Sequence, residues 1–271
     1  MRKYFILGLL VVMSFQLPIG LKETALPSAE IPEIENMLLT VQAVQAAEHS
    51  EPLVASFFGA GTPGYVAESI IEKKAEFVST REAYPAALKV IQKHEGTIRK
   101  KAQKYGVPVD VALGVGLLEN GGSETAKSTA GALGIFQLMP GTARNLGLTV
   151  NKKVDQRKDP TKNIDAGMRY LSSNYKIFGD WGLATWAYHA GEGNVAKAVQ
   201  LYFKEKHNVK LAGLKDPAQM KRHIKKNDTT IHNILSSASV KKFTKKLNDD
   251  SSGYPYKVLA TAKLFEKSKK Y

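Results

Sequence analysis

The chain of 271 residues contains no cysteine. That absence excludes a disulfide framework, a thiolate metal site and a cysteine nucleophile. No His-Glu-x-x-His pattern, Gly-x-x-x-x-Gly-Lys loop or dinucleotide fingerprint occurs. Zinc-protease, P-loop and Rossmann chemistry therefore have no local signature. His94, His207, His223 and His232 stand without metal-ligand spacing, so no catalytic metal and no other cofactor is expected. Carboxylates are in short supply: 39 Lys and Arg face 25 Asp and Glu, a net charge of +14. Alternating apolar and polar residues, the mark of a half-buried strand, are scarce as well.

Long apolar runs are equally scarce. The one that stands out, Tyr4 to Leu21, follows the basic Met1-Arg2-Lys3 and carries Pro18 and Gly20 near its end. It sits at the lower limit of the ~20 residues that cross a bilayer. It reads as a secretory signal or, uncleaved, as a membrane anchor. Pro27-Ser28-Ala29 and Val44-Gln45-Ala46 are candidate cleavage patterns. The protein is accordingly expected to be exported.

Charge and punctuation divide the rest. Residues 22–60 hold one lysine against six glutamates and close on Gly59-Ala60-Gly61-Thr62-Pro63-Gly64, which reads as a linker. Residues 201–271 hold 17 Lys and Arg against 6 acids. The expected organisation is a signal or anchor at 1–29, an acidic linker and helical region at 30–80, and a main domain at 81–271. That domain would carry a basic insertion at about 201–250. Leu88, Ile91, Ile98 and Ala102 recur at helical spacing, and Gly106 and Pro108 mark one helix ending and another beginning. Asp165–Tyr175, Leu183–Tyr188, Asn194–Lys204 and Tyr256–Lys267 also read as helices, so the fold class is mainly α.

One acid stands out. In Val111-Ala112-Leu113-Gly114-Val115-Gly116-Leu117-Leu118-Glu119 an apolar helix ends in a single carboxylate. Glu119 shares a helix face with Val111, Ala112 and Val115. Desolvation there would disfavour its charged form and raise its pKa, the property that protonation of a glycosidic oxygen requires. On this pattern alone the acid could equally swing into solvent. The following segment, Ser128 to Ala143, is dense in small residues around Gln137, whose amide can donate and accept at once. Its glycines let backbone approach a ligand.

Together these residues resemble a known family. Glu119, then Ser128-x-x-Gly131-Ala132-x-Gly134-x-x-Gln137-Leu138-Met139-Pro140-x-Thr142-Ala143, is similar to the soluble lytic transglycosylase catalytic domain, which is related to goose-type lysozyme. Asp159 to Leu171, Ala187-Tyr188-His189-Ala190-Gly191 and Tyr254-x-Tyr256-Lys257-Val258 agree in order. The resemblance implies a lysozyme-like helical domain acting on peptidoglycan glycan strands. Glu119 would be the single acid/base that cleaves the bond between N-acetylmuramic acid and N-acetylglucosamine and forms a 1,6-anhydro end. It implies Gln137, Met139 and Tyr188 in the sugar cleft and Ser128 at its wall. Tyr188 is expected to bond near Glu119 or an N-acetyl group. Trp181 and Trp186 could stack on sugars or pack in the core.

Two positions depart from the family pattern. Asn120 stands where serine is usual and His189 where asparagine is usual. Both are expected beside the acid and substrate, and His189 titrates near neutral pH. A muramidase on the same fold, or an inactive wall-binding protein, stays open as an alternative. Asp155, Asp159, Glu124 and Asp180 are places to seek a helper carboxylate. The Lys-rich 201–250 region suggests attraction to anionic wall polymers. No motif of a nucleic-acid-binding module accompanies it, so no nucleic acid is expected as partner. The expected location is the cell wall or a membrane facing it, with residues 4–21 as the possible anchor.

Overall fold

A computed structural model describes residues 53–59, 62–247 and 250–269. The apolar run at 4–21, the cleavage patterns and the acidic segment as far as residue 52 lie outside these residues. Helices dominate: α1 (Gly64–Ser79), α2 (Tyr84–Tyr105), α3 (Val109–Glu119), α4 (Pro140–Asn145), α5 (Pro160–Phe178), α6 (Trp181–Ala190), α7 (Glu192–His207), α8 (Pro217–Lys226), α9 (Ile231–Ser236), α10 (Ala238–Thr244) and α11 (Tyr254–Ser268). Among the described residues there is no strand, only isolated bridges such as Leu133 with Leu138.

Local chemistry sets the helix ends. Gly106 closes α2 at φ 65° and its N–H bonds back to Ala102 and Gln103. Only glycine adopts that conformation freely. Asp159 caps α5 through the Lys162 N–H at 3.0 Å, with Pro160 in the first turn. Asp180 caps α6 through the Leu183 N–H at 2.7 Å.

The centre of the fold is α3. Every residue from Val111 to Leu118 is buried, so this helix is apolar all round rather than striped, as a fully enclosed core helix must be. Helices α2 and α11 flank it and α6 meets it from a third direction. Two glycines allow the close approach. A Cβ at Gly114 would run into the Val258 carbonyl of α11, and one at Gly116 would lie 3.1 Å from the Phe136 ring. Thr261 of α11 donates to the Gly114 carbonyl at 2.8 Å and thereby ties the two helices together.

Residues upstream of 81, expected as an acidic linker and helical region, pack on the folded body. Phe57 and Phe58 are buried, and the Phe58 ring meets those of His232 and Tyr256 at 5.2 and 5.3 Å. Helix α1 lays Ala67, Ile71 and Val78 against the core beside α11. Acidic composition hid this attachment, because it rests on a few large apolar side chains. The basic 201–250 stretch is likewise built into the fold, with Met220, Ile224, Ile231, Ile234 and Val240 buried in the same core.

Candidate active site

Glu119 is the last residue of α3. At a helix C-terminus the dipole disfavours an anion. Surrounding atoms desolvate the carboxyl although the residue keeps a partial opening to solvent. Burial pushes its pKa up to about 7, against the lowering pull of a hydrogen bond from Tyr254 and the charge of Arg81. The Tyr254 hydroxyl donates to Glu119 Oε1 at 2.6 Å. Burial first, then the Glu119 charge, holds the Tyr254 phenol well above its usual value, so it stays a donor. With one oxygen occupied by Tyr254, the other is left to carry a proton.

Beside this pair lies a cleft of about 200 Å³, open to solvent and lined in part by Gln137, Met139, Tyr170, Tyr188, His189 and Gly191. Two rings join it to the acid. Tyr188 lines the cleft, and its phenol is raised by burial and by the charge of Glu119. His189 also lines the cleft and stacks on Tyr254 with ring centroids 4.4 Å apart and planes 13° off parallel.

The loop carrying Gln137 is built by buried polar groups. Asn163 accepts from the Phe136 N–H at 2.8 Å and donates to the Leu133 and Arg157 carbonyls, both at 3.0 Å. Arg157 donates to the Gly131 and Leu138 carbonyls, both at 2.8 Å. Gln137 itself sits at φ 42°, a conformation that costs ordinary residues about 1 kcal/mol or more. Its amide nitrogen donates to Ala126 and Gly134 carbonyls at 2.8 and 2.9 Å. Those bonds use both amide hydrogens, so toward the cleft Gln137 offers its oxygen as acceptor rather than the double role expected from its chemistry alone.

Other expected residues fall elsewhere. The Tyr188 hydroxyl donates to the Phe136 carbonyl at 2.5 Å; it supports the loop, and the phenol bonded to Glu119 is Tyr254 instead. Asn120 is buried and points inward, donating to Gly116 at 2.8 Å and accepting from the Gly122 N–H at 3.1 Å. It shapes the turn after α3. The Ser128 hydroxyl accepts from the Ala132 N–H at 3.0 Å and closes its own turn. Trp186 is fully buried in the core, and Trp181 stacks on Tyr175 at 4.2 Å. Sequence reasoning gave Tyr254 no role. The signal was its place in the last matching block, but nothing local links it to an acid 135 positions away.

The helper candidates are engaged with other partners. Asp155 pairs with Arg157 at 2.7 Å, and Glu124 with Lys93 and His94 at 2.5 and 2.9 Å. Asp159 and Asp180 cap helices. A lone raised carboxyl beside an open cleft can protonate a leaving oxygen without a second acid.

Residues 96–210 match the family model described as the Transglycosylase SLT domain. The matched segment takes in α3, the Gln137 loop and α5 to α7, while Tyr254 lies beyond its end. Curated proteins are similar over part of the chain. Membrane-bound lytic murein transglycosylase D of Escherichia coli (strain K12) is 31% identical over 130 residues, which cover 48% of this chain and 28% of that relative. The transglycosylase of Enterobacteria phage PRD1 is 37% identical over 95 residues, covering 35% of this chain and 34% of the relative. The chain therefore spans about a third or less of the length of these relatives. Among solved structures, an inactive mutant of lytic transglycosylase Slt from Pseudomonas aeruginosa superposes with a TM-score of 0.44 at 22% identity. That match covers 74% of this chain and 30% of that one, and it is too loose to bear on the site.

Proposed function

We infer that this protein is a peptidoglycan lytic transglycosylase with Glu119 as its single acid and base. The observation that carries the reading is a carboxyl raised to about 7, bonded by Tyr254 and set beside an open cleft. Protonated Glu119 gives its proton to the oxygen bridging N-acetylmuramic acid and N-acetylglucosamine. As a carboxylate it then takes the proton of the C6 hydroxyl of the same muramyl residue. That hydroxyl attacks C1 and closes the 1,6-anhydro ring. The nucleophile belongs to the substrate, so proximity replaces a second carboxylate. An inverting hydrolase would need one about 6.5–9.5 Å away to hold water, and the four helper candidates are otherwise bonded. Gln137 Oε1, Tyr170 and His189 are the groups we assign to hydrogen bonding along the cleft. The protein acts outside the cytoplasm, facing the wall, with residues 4–21 as its signal or anchor.

Mass spectrometry of digested wall tests the reading. Anhydromuramyl ends that disappear with Glu119→Gln are expected. Reducing ends would make the protein a muramidase, and no cleavage by the wild type would leave a wall-binding protein.

A further inference from the structure

Over residues 192–247 thirteen Lys and Arg stand against four carboxylates, and three of the four are committed inside the fold, Glu192 by the Tyr170 hydroxyl at 3.3 Å. Glu205 accepts from the Ser239 N–H at 2.7 Å and the Ser237 hydroxyl at 3.2 Å, and pairs with Lys206 at 2.9 Å. Asp216 caps α8 through the Gln219 N–H at 2.8 Å. Helix α8 buries Met220 and Ile224 and exposes Lys221, Arg222, Lys225 and Lys226. Helix α10 and the turn after it bury Val240 and Thr244 and expose the Lys-Lys pairs at 241–242 and 245–246.

The two basic faces flank α7. Phe203 meets His223 of α8 with ring centroids 5.7 Å apart. On the other side the Leu201 carbonyl accepts from the Ser239 hydroxyl of α10 at 3.4 Å, next to the Glu205 contacts. The side chains of Phe203 and Glu205, two positions apart, leave the helix about 200° from one another, so His223 of α8 and Ser239 of α10 lie on opposite flanks of α7. Its outer ridge, where Lys197 and Lys204 are exposed, runs between them. Apart from Lys206, none of these cations has a carboxylate within ion-pair distance among the described residues. Unpaired like charge at this density repels itself, and the site does not use it.

We propose that the face formed by α8, the outer ridge of α7 and α10 binds a linear phosphate-bearing polymer of the cell wall. The choice of occupant rests on the glycan-cleaving reading, because a domain working on wall glycan meets such a polymer beside its substrate. Successive phosphates match cations spread along a ridge. Single-stranded nucleic acid would call for aromatic platforms, and the exposed aromatics of the described structure, Tyr65 and Phe77, lie on α1.

The test compares retention of the full chain on purified wall carrying its phosphate polymer with retention on the same wall after acid extraction of that polymer. Retention at least about tenfold stronger on intact wall, falling steeply between 50 and 200 mM salt, is expected. The combined variant Lys241→Gln, Lys242→Gln, Lys245→Gln, Lys246→Gln should lose most of that difference and lower the slope against log salt by roughly 3. It should melt like the wild type and release glycan fragments from extracted wall at the wild-type rate. Equal retention on both walls, salt-independent retention, an unaffected variant, or tighter binding to DNA than to the isolated polymer at equal phosphate would each overturn the proposal. Failure of the glycan-cleaving reading shows separately, as an absence of fragments from extracted wall with the wild type.

Discussion

Two carboxyl groups in this fold are pushed up to about 7, each chiefly by burial, and they sit at opposite kinds of helix end. Asp180 lies at the N-terminus of α6, where backbone N–H groups of Leu183 and Gly182 oppose the rise. Glu119 lies at the C-terminus of α3, where the dipole offers an anion nothing. Its support comes from a phenol on another helix, and a cleft opens beside it. A raised pKa is therefore not what separates the two acids. Asp180 is fastened by the N–H groups of its own helix, whereas Glu119 adjoins the cleft through Tyr188 and the Tyr254–His189 stack.

The sharpest way to break this contrast is to neutralise each group in turn. Glu119→Gln should lower glycan cleavage by about 10³-fold or more, measured as fragment release from purified wall. Asp180→Asn, which keeps an oxygen to cap α6, should leave that rate within a few fold. Equal losses of activity in the two variants would erase the distinction.

Stability against pH gives the next largest effect. Glu119 ionises near its ordinary value of 4.5 when unfolded and at about 7 when folded. Between those values the folded state holds more protons, so stability falls as pH rises and the full cost is present above pH 7. At pH 8 Glu119→Gln should be more stable than the wild type by up to about 3 kcal/mol, and the gap should close below pH 4.5. Denaturant melts at pH 4 and pH 8 would show it, and a gap that does not change with pH would place the carboxyl in water.

Tyr254→Phe removes the donor that pulls the Glu119 pKa down. Its alkaline limb in kcat/KM should move to higher pH, and the rate at pH 6 should fall about 10- to 100-fold, because the carboxylate formed in the second half-reaction loses its partner. A lower rate with an unmoved limb would make Tyr254 a packing residue only. The smallest effect is expected from His189→Asn. That variant loses the stack on Tyr254 and an imidazole on the cleft wall. It should shift the pH profile by a few tenths of a unit and change KM a few fold. An unchanged profile would detach His189 from the acid.

Much of the scaffold is legible in single stretches of sequence. The Gly106–Pro108 break, the Asp159 and Asp180 caps and the apolar run into Glu119 each act over a few residues, and the helices follow them. The acid itself is legible for the same reason. What sequence cannot display is direction. Asn120 and Ser128 are polar and adjacent to the site, yet both turn into their own backbone to satisfy local donors. Tyr188 has the right type and block, but the Phe136 carbonyl claims its hydroxyl. Tyr254 is the reverse case, a residue with no local sign of a role that long-range packing brings to 2.6 Å from Glu119. Arg81, the cation that acts on the acid, also comes from outside the motif blocks.

The contact at Gly114 has a consequence for how the molecule becomes competent. Glu119 and Tyr254 meet only when the final helix has seated against the third, and a missing side chain is what allows that seating. A substitution to alanine there, far from any saccharide, would jam the seam and leave the proton donor without the hydroxyl that steadies it. The pairing of Glu119 with Tyr254 is thus a property of the completed tertiary structure.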